Sequence, residues 1–566
     1  MSNIETKIIG KVTATENKPT TTTTVYFWLH HDVIVRPFDI VRIEHISKNK
    51  NSASPSHSFA LVKELSYITD SAGHLANYVS SDFGDVEARE MNKRLGTTIA
   101  EAEILGNSEN IEMPIRDGAR VEWAGAGEIR KALGVHNLKE AIPAGYMETS
   151  RGDEISIDFE ARYLIGPEAG HLNISGISGL ASKTSYAMFL LNALQQRMKD
   201  EVSIILFNVK GPDLLAVDRS NDKLTEHQRA EWKKCGLDPR PLENVTYFYP
   251  YAKDRKEIFT DSQVPLNIIQ AQIKEGHAFN YYYDVETFKG GEEGNETDVG
   301  RDKLGLLFSD IEDPQSTMES CIHALGEIEA ENWDGLREEI ASKTEAGQSG
   351  KKDISVQSWR KFSRIISART DHDLFVEKRV QDDHRQRLLI DGIKDLRSGK
   401  VLVIDIAPLP DYLQCLVFGD VIRTVFDAKL GLYSGVNRKD LGKVVIFADE
   451  LNKYAPSSSG NRDRTLTRWL LEVTERGRSL GVILFGAEQF RSDIHARVLG
   501  NCATNIYGRT NPVELSKGAD YRFFSASNKS SLTRMRQGDM LLQHSVFHTS
   551  LIKARFPFPA YEQLTK

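Results

Sequence analysis

Two rhythms of apolar positions divide this chain. Over the first eighty or so residues, apolar and β-branched positions partly alternate in Ile8–Ala14, Thr20–Leu29, Asp39–Ile46 and Ser58–Ile68, with turn-rich stretches at Asn17–Pro19 and Lys48–Pro55. A period of two turns one face of each segment toward a core, and short strands at this spacing predict a small barrel. A helix is expected over Asp85–Leu95, further strands at Thr98–Leu105 and Ala119–Ala124, and a domain boundary near Thr149–Asp153, so that residues 1–150 form the β-barrel.

From Ser156 onward the alternation gives way to continuous apolar runs at Val202–Phe207, Lys400–Ile406, Val444–Ala448, Gly481–Gly486 and Asn505–Tyr507. Helical patterns lie between them, notably Tyr412–Lys429 and Thr465–Glu475. Strands covered on both faces read this way, so the pattern predicts a parallel sheet with right-handed crossovers. Between residues 217 and 397 the rhythm is lost. That stretch is charged, with helical periodicity at Glu226–Cys235, Met318–Ser342 and Trp359–Arg369 and loops at Gly290–Gly300 and Thr344–Lys352. It reads as a mostly helical insertion (217–397) in a core made of 151–216 and 398–566.

Composition narrows the class without naming it. A chain of 566 residues, 40% hydrophobic and 27% charged, is ordinary globular protein with room for several domains. A net charge of -8 argues against a surface that coats nucleic acid generally, though a basic pore or loop stays open. The cysteines (Cys235, Cys321, Cys415, Cys502) have no C-x-x-C spacing, which points away from a metal site or disulfide framework and toward a reducing cytosol. No apolar run approaches the ~18 residues of a membrane span, and no signal-type apolar segment opens the chain, so a cytoplasmic protein without a membrane partner is expected.

The chemistry concentrates in two places. His171-Leu-Asn-Ile-Ser-Gly176-Ile-Ser178-Gly179-Leu180-Ala181-Ser182-Lys183-Thr184-Ser185 is an apolar strand entering a Gly/Ser-rich turn, followed by the helical run Tyr186–Leu194. This is the layout of a phosphate cradle: backbone N–H groups face the anion, the lysine neutralises phosphate oxygens, and the threonine hydroxyl reaches Mg²⁺. The loop is one residue longer than the usual pattern, and Ser182 stands where glycine usually precedes the lysine. The same residues also fit a plain strand-to-helix turn. The second place is Lys443-Val-Val-Ile-Phe-Ala-Asp449-Glu450, a buried-type strand ending in two carboxylates. An aspartate there can hold Mg²⁺ through water and a glutamate beside it can deprotonate the attacking water, whereas the alternative is a simple cap on the next segment. The two halves in this order point to ATP binding and hydrolysis.

Several other groups carry weaker signals. Asn208 and Lys210 end the next strand, fitting either a place near the active site or a turn into Pro212, and His171 reads as a packed structural histidine. Asp371-His-Asp373 and Asp382-Asp-His-Arg385 fit solvated helical faces better than a metal site.

The N-terminal β region, the His-Leu-Asn-Ile-Ser-Gly entry, the Asp449-Glu450 strand and the stretch Thr474-Glu-Arg476-Gly-Arg478 to Gln489 resemble HerA, a hexameric ATPase of the HerA/FtsK group with an N-terminal HAS barrel. The likeness covers roughly residues 1–215 and 398–566, including Arg555-Phe-Pro-Phe-Pro, and the insertion poorly. It implies an α/β fold with a RecA-like P-loop NTPase core. It also implies that Gly176, Ser178, Gly179, Leu180, Ala181, Ser182, Lys183, Thr184 and Ser185 wrap the triphosphate, and that Thr184 and Asp449 serve Mg²⁺. Glu450 would be the general base and Gln489 the γ-phosphate sensor, with Arg476, Arg478 or Arg509 acting as a finger into the neighbouring subunit. Partners implied are other copies in a hexamer, double-stranded DNA, and a separate effector on the barrel face. That effector is a nuclease such as NurA or, with altered phosphate loops, a nuclease or sirtuin-type NADase in antiphage defence. The leading expectation is a DNA translocase or helicase. The competing one is an ATP-dependent scaffold that regulates an effector without processive DNA movement, and a secretion or conjugation ATPase is a third.

Overall fold

The computed structural model describes residues 8–45, 56–80, 82–85, 87, 95–179, 182–289, 303–309, 315–325, 328–345, 354–377, 385–433, 436–457 and 465–564. Six antiparallel strands come first: β1 (Ile8–Val12), β2 (Thr24–Leu29), β3 (Ile40–His45), β4 (Ser56–Thr69), β5 (Gly96–Asn107) and β6 (Arg120–Trp123). They close into a barrel in the order β1-β2-β5-β4-β3-β6. The alternation of the sequence is satisfied here, because Ile9, Val25, Phe27, Val41, Ile43 and Val121 point inward with at most 1% exposure. Gly10 belongs to the closure: a Cβ there would sit 2.0 Å from the Trp28 carbonyl oxygen. The threonine run begins its strand only at Thr24, since the Thr21 hydroxyl accepts from the N–H groups of Thr23 and Thr24 and holds a turn instead. Most of the helix expected over Asp85–Leu95 lies outside the described residues.

The remaining strands are β7 (Ala141–Glu148), β8 (Glu154–Glu160), β9 (Leu172–Ser175), β10 (Val202–Asn208), β11 (Val245–Pro250), β12 (Ala278–Tyr281), β13 (Gln386–Arg387), β14 (Val401–Asp405), β15 (Lys443–Asp449), β16 (Val482–Glu488), β17 (Thr504–Tyr507), β18 (Asp539–Gln543) and β19 (Ile552–Arg555). They build one 13-stranded sheet in the order β13-β12-β11-β14-β10-β15-β16-β9-β17-β18-β19-β7-β8. The run from β13 to β17 is parallel, and the last four strands continue antiparallel. Every residue of β10 and of β16 is buried, which is why these segments read as unbroken apolar runs. The expected α/β class with an N-terminal β-barrel is the fold observed.

Two divisions of the chain differ from the sequence reading. Strand β7 lies ahead of residue 150 yet pairs with β8 and β19 in the large sheet. The stretch 217–397, read as mostly helical, also lends β11, β12 and β13 to the sheet edge. These strands are six, four and two residues long, so charged helical sequence around them masks their pattern. The helices Trp333–Ser342 and Val356–Arg369 pack on one sheet face, where Trp333, Trp359 and Phe362, all fully buried, join a cluster with Phe207 and Ile404, while Trp232 and Ile268 of the earlier helices join the other cluster with Leu206 and Val403. A buried carboxylate is one tie between barrel and core: Asp39 accepts from the Arg36 N–H at 2.7 Å, the Ser150 N–H at 2.9 Å and the Ser150 hydroxyl at 2.6 Å. Among the described residues, no helix is long and apolar enough to cross a membrane.

Candidate functional site

Parallel pairing brings the C-terminal ends of β9, β10, β15, β16 and β17 to one edge of the sheet, where open α/β sheets bind ligands. The phosphate-type loop leaves β9 at this edge. Its base is pinned by main-chain bonds, Gly176 N–H to the Glu488 carbonyl at 3.2 Å and Ile177 N–H to the Arg509 carbonyl at 2.8 Å. Gly176 (φ 151) and Gly179 (φ 77) take backbone conformations that side chains disfavour. Ser182 does so as well, at φ 49 and ψ 36, immediately before the helix Lys183–Arg197. The serine that departs from the usual glycine is thus held in the left-handed conformation glycine enters freely, a strain of about 1 kcal/mol. Leu180 and Ala181, expected in the same cradle, lie outside the described residues.

Lys183 opens the helix with 7% exposure, and its ammonium group donates to the Gly176 carbonyl at 2.8 Å and to the Ser178 hydroxyl at 3.4 Å. Burial lowers its pKa, while Asp449 and Glu488 nearby favour its charge. The Thr184 hydroxyl donates to Asp449 Oδ2 at 3.2 Å, so the two sequence signals meet in space. Asp449 Oδ1 in turn accepts from the Glu450 N–H at 2.9 Å. Glu450 stands at φ 56 and ψ 46, a second strained residue, and its carboxylate pairs with the Lys210 ammonium. Asn208, the other polar residue at the end of β10, bonds to Asp405 Oδ1 at 2.7 Å. Burial pushes the Asp405 carboxyl up to about 6 even though it also accepts from Ser262.

Lys183, Thr184, Asn208, Lys210 and Asp449 line a cavity of about 510 Å³ together with Phe556, Phe558 and Tyr561, whereas Glu450 lies outside the lining. A space of that size suits a nucleotide-sized ligand. The aromatic wall comes from the Arg555-Phe-Pro-Phe-Pro segment, which the resemblance includes but to which it gives no site role. It is held from the 217–397 stretch: Trp232 Nε1 donates to the Phe558 carbonyl at 2.8 Å, and Asn221 to the Pro559 carbonyl at 3.0 Å.

Other expected site residues stand elsewhere. Gln489 is exposed and outside the cavity lining, whereas its neighbour Glu488 is fully buried beside the loop. Strand alternation explains the exchange, since one step along β16 turns the side chain to the opposite side. Arg476 and Arg478 are exposed and distant from the cradle within the chain, because Arg478 donates to the Glu168 carbonyl at 2.9 Å, ahead of β9, while the loop follows β9. Arg476 pairs with Glu472 at 3.0 Å. Gly477 between them is required sterically, as a Cβ would lie 2.6 Å from the Val482 carbonyl oxygen, and a π-helical turn over Val473–Gly477 displays both arginines. Arg509 adjoins the loop through its main chain. His171 is a structural histidine: its Nδ1 accepts from the Leu484 N–H at 3.0 Å, and burial drives its pKa down to about 4. Asp373 pairs with Lys253 at 2.8 Å, and residues 382–384 of the second charged cluster lie outside the described residues.

No family model and no curated protein matches the chain. Among solved structures, the unbound conjugative coupling protein TrwBdeltaN70 is similar at 12% identity and a TM-score of 0.44, over 78% of this chain and 94% of that one. VirB4 of Thermoanaerobacter pseudethanolicus is similar at 13% identity and a TM-score of 0.43, over 74% and 97%. The genome packaging NTPase B204 from Sulfolobus turreted icosahedral virus 2, in complex with ATP-gammaS, matches 30% of this chain and 71% of that one at 18% identity and a TM-score of 0.22. Likenesses this remote assign no activity.

The geometry sets two expectations, both read by titration calorimetry with a magnesium nucleoside triphosphate. Lys183→Ala removes the one buried ammonium of the cradle and should weaken binding by about tenfold or more. Ser182→Gly relieves the left-handed strain and should bind at least as tightly as the parent, whereas Ser182→Val should bind more weakly.

Proposed function

We propose that the chain is an ATPase of the P-loop type, assembled as a ring that translocates double-stranded DNA in the manner of the HerA/FtsK group. The observation that carries this reading is the meeting of Lys183, Thr184 and Asp449 in one nucleotide-sized cavity. In this proposal Lys183 and the Gly176–Ser185 backbone bind the triphosphate of ATP, and Thr184 with Asp449 holds the Mg²⁺ shell. The donor set fits that ion, because a hydroxyl and a carboxylate already converge as hard oxygen ligands. Mg²⁺ would neutralise charge developing on the phosphates.

Glu450 is the general base of the proposal. Its carboxylate is held by the ammonium of Lys210, which lines the cavity, until a water competes for it. Gln489 serves the γ-phosphate only in a ligand-bound or assembled state, since here it lies outside the lining. Arg476 and Arg478 are supplied to a neighbouring copy, which their exposed position away from the chain's own cradle favours. Arg509 is the alternative finger. The finer parts of the reading rest on the family resemblance alone: a hexamer, a nuclease or sirtuin-type NADase docked on the barrel, and antiphage defence.

Two measurements test the proposal. Glu450→Gln should retain ATP binding and lose at least about 100-fold in turnover, and normal turnover would remove the base assignment. ATPase activity of the parent should rise with duplex DNA, and the rise should fade as salt increases. A rate indifferent to DNA at every salt concentration would favour the ATP-dependent scaffold.

A further inference from the structure

The most unusual group near the cradle is one that neither motif includes. Glu488 ends β16 with 0% exposure. Its main-chain carbonyl accepts from Gly176 N–H at 3.2 Å, at the root of the phosphate loop. One side-chain oxygen, Oε2, accepts from Asn173 Nδ2 at 2.8 Å, and Asn173 Oδ1 accepts in turn from Arg491. The other oxygen, Oε1, is buried with no hydrogen-bond partner among the described residues. An ionised carboxylate with a bare oxygen in a dry interior is costly, whereas a neutral carboxylic acid is tolerated there and presents one O–H donor.

Resting on the ATPase reading above, we infer that Glu488 is a positioning residue of the triphosphate site, and that it works as an un-ionised acid behind the phosphate loop. Occupancy of the cradle by a polyanion is thereby tied to keeping that proton. Burial pushes the Glu488 carboxyl up to about 8, against the pull of Arg491, Asn173 and Lys183 toward the ionised form. The charged and titratable groups around it are Lys183 on the loop helix, Asp449 at the end of β15, Arg491 on the following turn, Cys502, and Tyr507 on β17. Burial holds the thiol and the phenol high, so neither loses its proton first.

The sign of the linkage follows. A carboxyl with a raised pKa is neutral below that value, so near neutral pH it adds no negative charge behind the loop. A magnesium triphosphate is still net negative, so its arrival should disfavour the carboxylate further, and binding above pH 8 should draw a proton onto Glu488. Affinity should fall as pH rises through this range, by up to about tenfold per pH unit. Lys183, whose proton is also loosened by burial, adds its own alkaline loss, so the comparison must remove Glu488 alone.

The experiment measures affinity for a non-hydrolysable magnesium ATP analogue from pH 6.5 to 9.5 in the full chain and in Glu488→Gln and Glu488→Ala. Glutamine is permanently neutral, can accept from Asn173 and keeps a donor. It should match the parent at pH 7 and show a shallower alkaline fall by about tenfold at pH 9. Alanine leaves Asn173 without its acceptor and should bind more weakly at every pH. Superimposable profiles for the parent and Glu488→Gln would overturn the inference, as would a tenfold or greater loss in Glu488→Gln at pH 7 with thermal unfolding unchanged. A parent that binds no analogue at any pH would instead sink the ATPase reading on which the inference stands.

Discussion

One hydrogen bond summarises what the rest of the molecule is built to hold. Thr184 and Asp449 are 265 residues apart in sequence, yet the hydroxyl of one donates to the carboxylate of the other. Neither residue could hold that position by itself. Their spacing is imposed by the parallel register of β15 with β16 and of β16 with β9, which aligns the strand ends at a single edge. The apolar side chains that lock this register are buried on both sheet faces, so a slip would expose a run of them to water. The polar chemistry of the edge is therefore a consequence of packing in the sheet behind it.

The edge also stores strain. Ser182, which lines the cavity, and Glu450, next in sequence to the lining residue Asp449, both occupy left-handed backbone conformations. Such conformations persist only where the surroundings over-determine them, and they gather where backbone groups must face a ligand. Here the surroundings are the pinned loop base on one side and the Asp449 contact to the Glu450 N–H on the other. The charged side chains meanwhile satisfy one another: Lys183 folds onto its own loop, and Lys210 covers Glu450. A ligand rich in negative charge competes for both ammonium groups, so its arrival would rearrange the charges that now neutralise the site.

The aromatic wall of the cavity shows how a poorly legible region becomes part of the site. The stretch 217–397 carries no catalytic motif, but its first helix and turn hold Phe558 and Pro559 in place through Trp232 and Asn221. Its short strands extend the same sheet, and Trp333 and Trp359 cover one sheet face. It therefore shapes the site through packing.

Local pattern in the sequence determined the elements. Alternating positions specified the barrel strands, unbroken apolar runs specified the buried parallel strands, and the Gly/Ser turn before Lys183 and the acid pair after Ala448 marked the two halves of a site. These features are legible because periodicity and turn chemistry act between residues close in the chain. Which residues meet was decided by the tertiary structure. Glu488 rather than Gln489 faces the loop because strand pleat and sheet order choose the side, and Arg476 and Arg478 stand away from the cradle because their helix returns to the opposite edge. The short strands at the sheet edge took their identity from neighbours more than a hundred residues away, for β14 pairs with β11 across the whole helical stretch. Contacts of that range are fixed by the burial of the whole sheet, which no local window of sequence contains.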